Sequence, residues 1–414
     1  MKRTIQYLIL GGLLGCCSLY LTGCERLDTP FGRSGRYGRD GRGLAQKDSA
    51  STQGDSAVPP DTITWAAVVK VPDGYDWVRD TLSGHFSGEL LFYRGNQPCL
   101  SIPLGGSLPV SPDPGTHHII GGHLYTECCS GGALHILRDG VPLLDLPGEG
   151  FLKGLLLNDD GTLWTLACAP GDGSLTLRRD SETVIRIARG SAIGGLGESR
   201  PALYEDDGHI CFTYTEGGNM FAVKDGGISP VPPPEDRATM EDFRWWGGEP
   251  VTLYRKGGGH CIYAEGAGTL LIYGQKEARL VGAGGRLYAF GMSDFGLRDR
   301  AFASAVDGSG TWYFYGNAPW LHCSEAGLFS VQGGGPLRIS WCETAPTAYF
   351  HCAEKEDMLV FTDECVGTIG RDPYLGVSVP GGRPLLMRGD SAVGEFPFDG
   401  YITAVDVELR APSL

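Results

Sequence analysis

The stretch 154–167, GLLLNDDGTLWTLA, consists of two apolar runs joined by an acidic corner that ends in glycine, and the pattern returns along the chain. It reads PALYEDDGHICFTY at 201–214, PVTLYRKGGGHCIY at 250–263 and RAFASAVDGSGTWYFY at 300–315. The corner residues Gly161, Gly208, Gly259 and Gly310 are 47, 51 and 51 positions apart, with weaker copies at Gly84, Gly122 and Asp357. Seven anchors at a near-constant period mark a repeat protein. Asp-Gly between two alternating runs is a hairpin signal, because both central residues of a type I′ turn take positive φ. Each repeat is therefore expected to open with a hairpin.

The residues after each corner complete a four-stranded unit. After Gly161 come TLWTLACA, the break PGDG, SLTLRRD and ETVIRIAR; after Gly208 come HICFTYTE, GG, NMFAVKDG and ISPVPP. Short strands at hairpin spacing, with no amphipathic helix of three turns between them, predict an all-β chain. Four strands in a period of about 40 to 50 residues is the size of a propeller blade. Over residues 61 to 410 the chain resembles the β-propeller superfamily. It lacks a Trp-Asp dipeptide ending the third strand and a kelch double glycine fixed in each repeat, so the resemblance stops at that level. It implies a ring of seven four-stranded blades, with six or eight left open. An unclosed ring exposes strand edges, so one blade should be shared by the two termini. The alternating segments Thr62 to Val71 and Tyr401 to Leu409 are expected to pair in it.

The amino terminus has the composition of an export signal. Lys2 and Arg3 precede an apolar stretch from Ile5 to Leu21 that ends in Leu21-Thr22-Gly23-Cys24. The segment resembles the lipobox of bacterial lipoproteins, which implies cleavage after residue 23, acylation of Cys24 and anchoring in a bilayer, most naturally the outer membrane of a cell envelope. Leu13-Leu14-Gly15-Cys16 is a shorter match that leaves less apolar length ahead of it. A spanning anchor is disfavoured, because Gly11, Gly12 and Gly15 interrupt a run that barely reaches spanning length. Residues 24–60 then change to GRSGRYGRDGRG and KDSASTQGDSAVPP, which offer little apolar surface to bury and read as a flexible tether before a propeller domain at 61–414.

Asp48-Ser49-Ala50, Asp55-Ser56-Ala57 and Asp61-Thr62-Ile63 match the Asp-(Ser/Thr)-apolar acceptor pattern of an O-glycosylation system of some Gram-negative bacteria. Ser49, Ser56 and Thr62 are accordingly expected to carry glycans, and Asp80-Thr81-Leu82 and Asp390-Ser391-Ala392 are further matches. About one match is expected by chance. The chain carries a formal net charge of −15. Setting aside Lys2 and Arg3, and the tether's six basic and five acidic residues, leaves 61–414 at −18. That balance disfavours nucleic acid and polyanionic glycans as partners, and favours a neutral glycan, a cation or a protein.

Ten cysteines lie beyond the signal region, with no Cys-x-x-Cys among them, and read mostly as small buried apolar residues. His260-Cys261, His322-Cys323 and His351-Cys352 resemble metal ligands, but neighbours on a strand face opposite sides, so no metal is expected. His85, His123, His209 and His260 each follow a corner glycine and read as hairpin-end groups bonding to a neighbouring turn. No nucleophile elbow, zinc-binding helix motif, phosphate loop or local carboxylate pair is present, and no cofactor is implied. Asp294, Arg298, Asp299 and Arg300 read as a solvated loop, and the Arg-Gly-Asp at 388–390 as chance composition.

The expected ligand residues come from segments that read as irregular connections between blades. PPPEDRATMEDFRWWGGE at 232–249 supplies Arg244, Trp245 and Trp246; GAGGRLYAFGMSDFGLRDR at 282–300 supplies Tyr288 and Arg298; Trp320 comes after the run TWYFY. Aromatic rings beside charged groups suit a neutral sugar, whose apolar face stacks while its hydroxyls take hydrogen bonds. The same tryptophans would equally fill the gap between blades. Two functional readings remain: a tethered binding or scaffold module for a neutral glycan or protein, and a carbohydrate-active hydrolase or lyase with carboxylates at the channel mouth.

Overall fold

The computed structural model describes residues 62–72, 87–105, 108–171, 173–195, 201–257, 259–264, 268–273, 275–293, 300–315, 320–324, 327–332, 337–342, 348–350, 365–378, 383–389 and 391–409. The described chain is all-β, with one short 3-10 turn at Pro114–Thr116. Strands β1 (Thr62–Lys70), β2 (Glu89–Arg94) and β3 (Gln97–Pro103) belong to sheet A. Sheet B holds β4 (His117–Ile120), β5 (His123–Ser130), β6 (Ala133–Arg138) and β7 (Val141–Pro147). Sheet C holds β8 (Phe151–Leu157), β9 (Leu163–Cys168), β10 (Leu175–Arg179) and β11 (Glu182–Ile187). In sheet D, β12 (Ser191–Ala192) and β13 (Leu203–Asp206) lie along one side of β14 (His209–Glu216), followed by β15 (Asn219–Lys224) and β16 (Gly227–Val231).

Sheet E holds β17 (Thr239–Trp246), β18 (Glu249–Lys256), β19 (Gly259–Ala264) and β20 (Gly268–Tyr273). Sheet F holds β21 (Gln275–Ala283), β22 (Arg286–Ser293), β23 (Arg300–Ala305) and β24 (Thr311–Tyr315). Sheet G holds β25 (Trp320–Ser324), β26 (Gly327–Gln332), β27 (Leu337–Trp341) and β28 (Ala348–Phe350). Sheet H holds β29 (Val366–Ile369), β30 (Asp372–Val377), β31 (Leu385–Arg388) and β32 (Ser391–Glu395). The last strand, β33 (Gly400–Leu409), returns to sheet A and pairs antiparallel with β1 from Thr62↔Leu409 to Lys70↔Gly400. The expected sharing of one sheet by the two terminal segments is thus what the register shows.

Strand alternation turns these sheets into a ring. Each sheet has two apolar faces, and each face meets the neighbouring sheet, because a sheet buried on one side only would leave half of its apolar residues in water. Tyr125, Leu134 and Ile136 of sheet B pack on Leu152, Leu163 and Ala167 of sheet C. Leu253 and Ile262 of sheet E pack on Leu280 and Phe302 of sheet F. Phe329 and Trp341 of sheet G meet Leu375 and Val377 of sheet H. The ring closes where Tyr374 and Leu386 of sheet H pack on Val68, Leu91 and Ile402 of sheet A. Sheets packed face to face in this cyclic order, with β33, β4, β8, β13, β17, β21, β25 and β29 nearest the axis, are the arrangement of a β-propeller.

The described residues form eight sheets, one more than the preferred seven and equal to the eight left open. The discrepancy has a local cause. Gly161 and Gly208 close the turn between the first and second strands of their sheets, but Gly259 lies between the second and third, and Gly310 between the third and fourth. From sheet D to sheet F the corner chemistry therefore slides by one hairpin per repeat and lengthens the apparent period. The equivalent first turns, at Gly122, Gly161, Gly208, Gly248 and Gly285, are 39, 47, 40 and 37 apart. Asp207 and Gly208 do take the two positive φ values of a type I′ turn, 50° and 76°. At Asp159-Asp160-Gly161 only Gly161 does, and its N–H bonds to the Asn158 carbonyl in a longer turn.

Two polar devices pin the sheets. Buried acidic groups accept backbone N–H groups from the next sheet: Glu127 from Leu152, Asp206 from Gly247 and Gly248 at 2.7 and 2.9 Å, and Asp242 from Leu280 at 2.7 Å. Within sheets, Asp139 and Asp225 sit at positive φ in the turn before the fourth strand. One carboxylate oxygen of each accepts the N–H of Leu124 or Ile210, and the other meets His123 Nδ1 at 2.6 Å or His209 Nδ1 at 2.5 Å. His123 and His209 thus act as the expected hairpin-end groups. His260 does not: it is buried on β19, with Nε2 2.5 Å from Glu241, whose other oxygen meets Arg255. His85 lies outside the described residues.

Candidate functional site

The segment 239–246, TMEDFRWW, forms β17, the strand of sheet E nearest the axis, with a bulge between Met240 and Asp242, so Arg244, Trp245 and Trp246 stand on a strand and not on an irregular connection. The expectation of a loop is corrected here: the glycine pair Gly247-Gly248, at φ 60° and 81°, makes a tight hairpin to β18. Alternation sends Phe243 and Trp245 to one face and Trp246 to the other. Trp246 packs among Leu253, Leu280 and Phe302 between sheets E and F, so close to Gly282 that a Cβ there would stand 2.4 Å from its ring. It fills a gap between sheets. Trp245 joins Phe243, Ala222 and Met220 between sheets D and E.

That second interface is thin. Among the described residues, four are buried at D/E against eight at E/F. The space left over is a cleft of about 700 Å³. Its walls are Trp245, Phe243, Tyr254 and Tyr263, faced by Pro230 and the connection Pro232–Glu235. Tyr263 is 40% exposed, and the Lys224 ammonium lies 5.2 Å from the Trp245 ring centroid. At the rim Glu235 accepts a hydrogen bond from the Tyr254 hydroxyl at 2.8 Å and pairs with Lys256. Those hydrogen bonds, from Lys256 first and Tyr254 second, hold the Glu235 carboxyl below its ordinary range and keep it ionised.

A second cavity, of about 570 Å³, lies where five axial strands converge. Arg244 and Trp246 reach it from β17, Gly285 from the turn after β21, His322 and Ser324 from β25, Thr368 from β29 and Asp406 from β33. It sits at the end of the ring carrying the first-to-second-strand turns. Arg244 is 6% exposed, and its guanidinium lies 3.9 Å from the centroid of the Tyr204 ring, a face-on cation–π contact. The Tyr204 hydroxyl accepts the Trp245 N–H at 3.0 Å, so Tyr204 orients both residues.

The other expected site residues are dispersed. Tyr288, on β22, is 2% exposed and packs with Val281, Ala303 and Leu328 between sheets F and G, so it is core and not part of a ligand surface. The physical reason is that RLYAFGMS is a strand buried between two sheets and not a connection. Trp320 begins β25, opposite Val331. Arg298 lies outside the described residues, as do Cys24, Ser49 and Ser56. Thr62 opens β1 opposite Leu409, with its hydroxyl oxygen buried.

Sequence reasoning missed Tyr254, Tyr263 and the prolines of the cleft, and Tyr204, His322, Thr368 and Asp406 around the axis. Only a correct assignment of strands to positions in each sheet places the second group together. Among the described cysteines Cys128, Cys168, Cys211, Cys261, Cys342 and Cys365 are buried. Burial pushes the Cys211 thiol up to about 12, so it is an unreactive apolar filler. Arg388 of the Arg-Gly-Asp tripeptide is held by Asp372 at 2.5 Å.

No known family model matches the chain, and no curated protein does. Among solved structures it is similar to dihydro-heme d1 dehydrogenase NirN in complex with DHE, at 14% identity and a TM-score of 0.48, over 86% of this chain and 76% of that one. It is also similar to the WD40 domain of SCAP from fission yeast, at 10% identity and a TM-score of 0.40, over 78% and 91% of the two chains. A third likeness is to BBS1N in complex with ARL6DN, at 12% identity and a TM-score of 0.34, over 80% and 91%. The propeller reading rests on the cyclic packing of the sheets and not on these values.

Proposed function

We propose that this chain is a binding module whose cleft between sheets D and E receives a neutral glycan, carried on a tether from a lipid anchor at Cys24 in a cell envelope. The observation that supports it is the cleft itself. Trp245, Tyr254 and Tyr263 line a space of about 700 Å³, within the usual range for ligand sites, with one ionised carboxylate at its rim to accept sugar hydroxyls. Lys224 over Trp245 must swing aside for a sugar face to stack there, a cost of about 0.5 to 1 kcal/mol at an exposed site. Glycans on Ser49 and Ser56 belong to the same envelope reading. Thr62 is a poorer acceptor once folded, because its hydroxyl is buried.

Hydrolysis of glycosides generally uses two carboxyl groups flanking the bond. Among the described residues lining the axial cavity Asp406 is the one carboxylate, and in the cleft Glu235 is engaged by Lys256 and Tyr254. Binding is therefore the better-supported reading. Titration with a panel of neutral oligosaccharides, followed by calorimetry, tests it. At least one should bind, and Trp245→Ala should weaken it about 2- to 12-fold, the value of one aromatic contact. Absence of binding across the panel, or binding indifferent to Trp245→Ala and Tyr263→Ala, overturns the glycan and leaves a protein as the occupant. Cys24→Ala should release the protein from membranes or block its processing; unchanged membrane association and mobility would refute the anchor.

A further inference from the structure

We propose that the cleft between sheets D and E takes a zwitterion, a quaternary ammonium group joined to an oxyanion, of which a phosphocholine substituent on a sugar is the simplest form. A sugar so substituted keeps zero net charge, so the site is still that of the proposed glycan, on whose placement in this cleft the inference rests. The observation that carries it is Lys224, whose ammonium lies 5.2 Å from the centroid of the Trp245 ring. The chain has set a cation of its own against the type of ring that holds cations best. Trp245 is fixed in that position: its backbone N–H is bonded to the Tyr204 hydroxyl at 3.0 Å, and the Phe243 ring meets its ring at 5.2 Å and 89°. Tyr263, 40% exposed, adds a second ring to the same wall.

The rest of the cleft selects the kind of cation. A primary ammonium brings three N–H donors that need acceptors. Glu235 is the one carboxylate among the described residues lining the cleft, and it already serves the Tyr254 hydroxyl and Lys256. A trimethylammonium has no donor to satisfy, so it can exchange water for the faces of Trp245 and Tyr263 while Glu235 keeps both of its partners. Lys224 leaves the ring when such a group arrives, and its long stem lets the ammonium return to water. The bound cation and the displaced Lys224 then repel each other. An oxyanion on the same ligand offsets that repulsion by pairing with Lys224. The formal net charge of −15 draws the cationic end towards the protein and opposes a ligand that is anionic overall, so a molecule with balanced charges fits better than a simple phosphate ester.

The test uses the full-length protein in a polyoxyethylene detergent, which carries neither sugar nor choline. Calorimetry follows titration with phosphocholine, choline, phosphoethanolamine and neohexyl phosphate, the last an isostere of phosphocholine in which carbon replaces the charged nitrogen. Phosphocholine should saturate with a Kd of about 1 mM or tighter, and phosphoethanolamine and the isostere should each bind about fivefold or more weakly. Trp245→Ala should weaken phosphocholine about 2- to 30-fold, the range of one cation–π contact, and Tyr263→Ala, at a more exposed ring, about 2- to 5-fold. Lys224→Met separates competition from pairing. Choline should bind that variant more tightly, since nothing contests the ring, while the preference for phosphocholine over choline should shrink about threefold or more. A parallel titration with unsubstituted neutral oligosaccharides keeps the two readings apart. An oligosaccharide that binds through Trp245 while phosphocholine is inert overturns the proposal and leaves the glycan standing; phosphocholine binding with the oligosaccharides silent supports it and removes only the unsubstituted sugar. Equal affinity for phosphocholine and its isostere, affinity untouched by both Trp245→Ala and Tyr263→Ala, or capture by phosphatidylcholine vesicles with free phosphocholine inert, also overturns it.

Discussion

Sheets D and E are neighbours built on the same four-strand plan, and they use the same residues for different ends. In sheet D, Gly208-His209 forms the first hairpin and His209 bonds a half-exposed aspartate in the turn before the fourth strand. In sheet E, Gly259-His260 forms the second hairpin and His260 is buried against Glu241. Among the described residues, sheet D closes well on sheet C, with eleven buried members at that interface, yet meets sheet E through four. Sheet E closes well on sheet F through Trp246, while Trp245 one residue earlier lines open space. A short motif thus fixes a turn without fixing which turn of the sheet it is, and the face of a strand, not the identity of a residue, decides whether a tryptophan is structure or surface.

The largest effect would come from deleting Tyr401 to Leu414. If the ring is one cooperative unit, sheets D and E lose protection together although neither pairs with β33, because an opened ring exposes unpaired edges and strips the sheet H to sheet A interface. Hydrogen exchange on β14 and β18 measures this. A truncated protein that keeps a single cooperative melt and protected amides would show that the sheets stand independently, as stacked repeats do. Next in size is the pair of tryptophans. Trp246→Ala should cost about 3 to 5 kcal/mol, since it empties a well-packed seam, whereas Trp245→Ala should cost about 1 kcal/mol or less, since its partner wall is a cleft. Urea melts of the two variants check the contrast. Equal losses would mean that the D/E interface is packed as tightly as E/F and that the cleft reading is wrong.

The same contrast explains how far the chain is legible from its sequence. Alternation and turn residues suffice for all-β, for the four-strand unit and for the pairing of Thr62–Lys70 with Gly400–Leu409, because these depend on local pattern and on the need to cover sheet edges. The repeat count is not legible from Asp-Gly corners, since at Gly259 and Gly310 the same residues serve other hairpins. Arg244 and Trp245, expected on a connection between blades, stand on strand β17. His322, Thr368 and Asp406 are invisible as a group, because they meet only when five strands far apart in sequence converge on one axis.

The smallest expected effect concerns the solvated hairpin of sheet D, and its sign is fixed by linkage. Desolvation works to raise the Asp225 carboxyl, but hydrogen bonds from His209 and the Ile210 N–H outweigh it and leave the group below its ordinary value of 3.8. The folded state therefore binds that proton less readily than the unfolded one. Its stabilisation is complete above the unfolded value, near pH 5 and higher, and is lost as pH falls through the folded value. Both side chains are nearly half exposed, so solvent screening limits the contribution to about 0.2 to 1 kcal/mol. Asp225→Asn isolates the charge, because the amide oxygen can still accept the Ile210 N–H. Wild type should exceed the variant in urea stability at pH 6, and the gap should shrink progressively towards pH 3. A gap that stays constant across that range would mean the carboxylate contributes only its hydrogen-bonding shape, and would remove the ionised pair from the account of why sheet D needs its histidine while sheet E buries one.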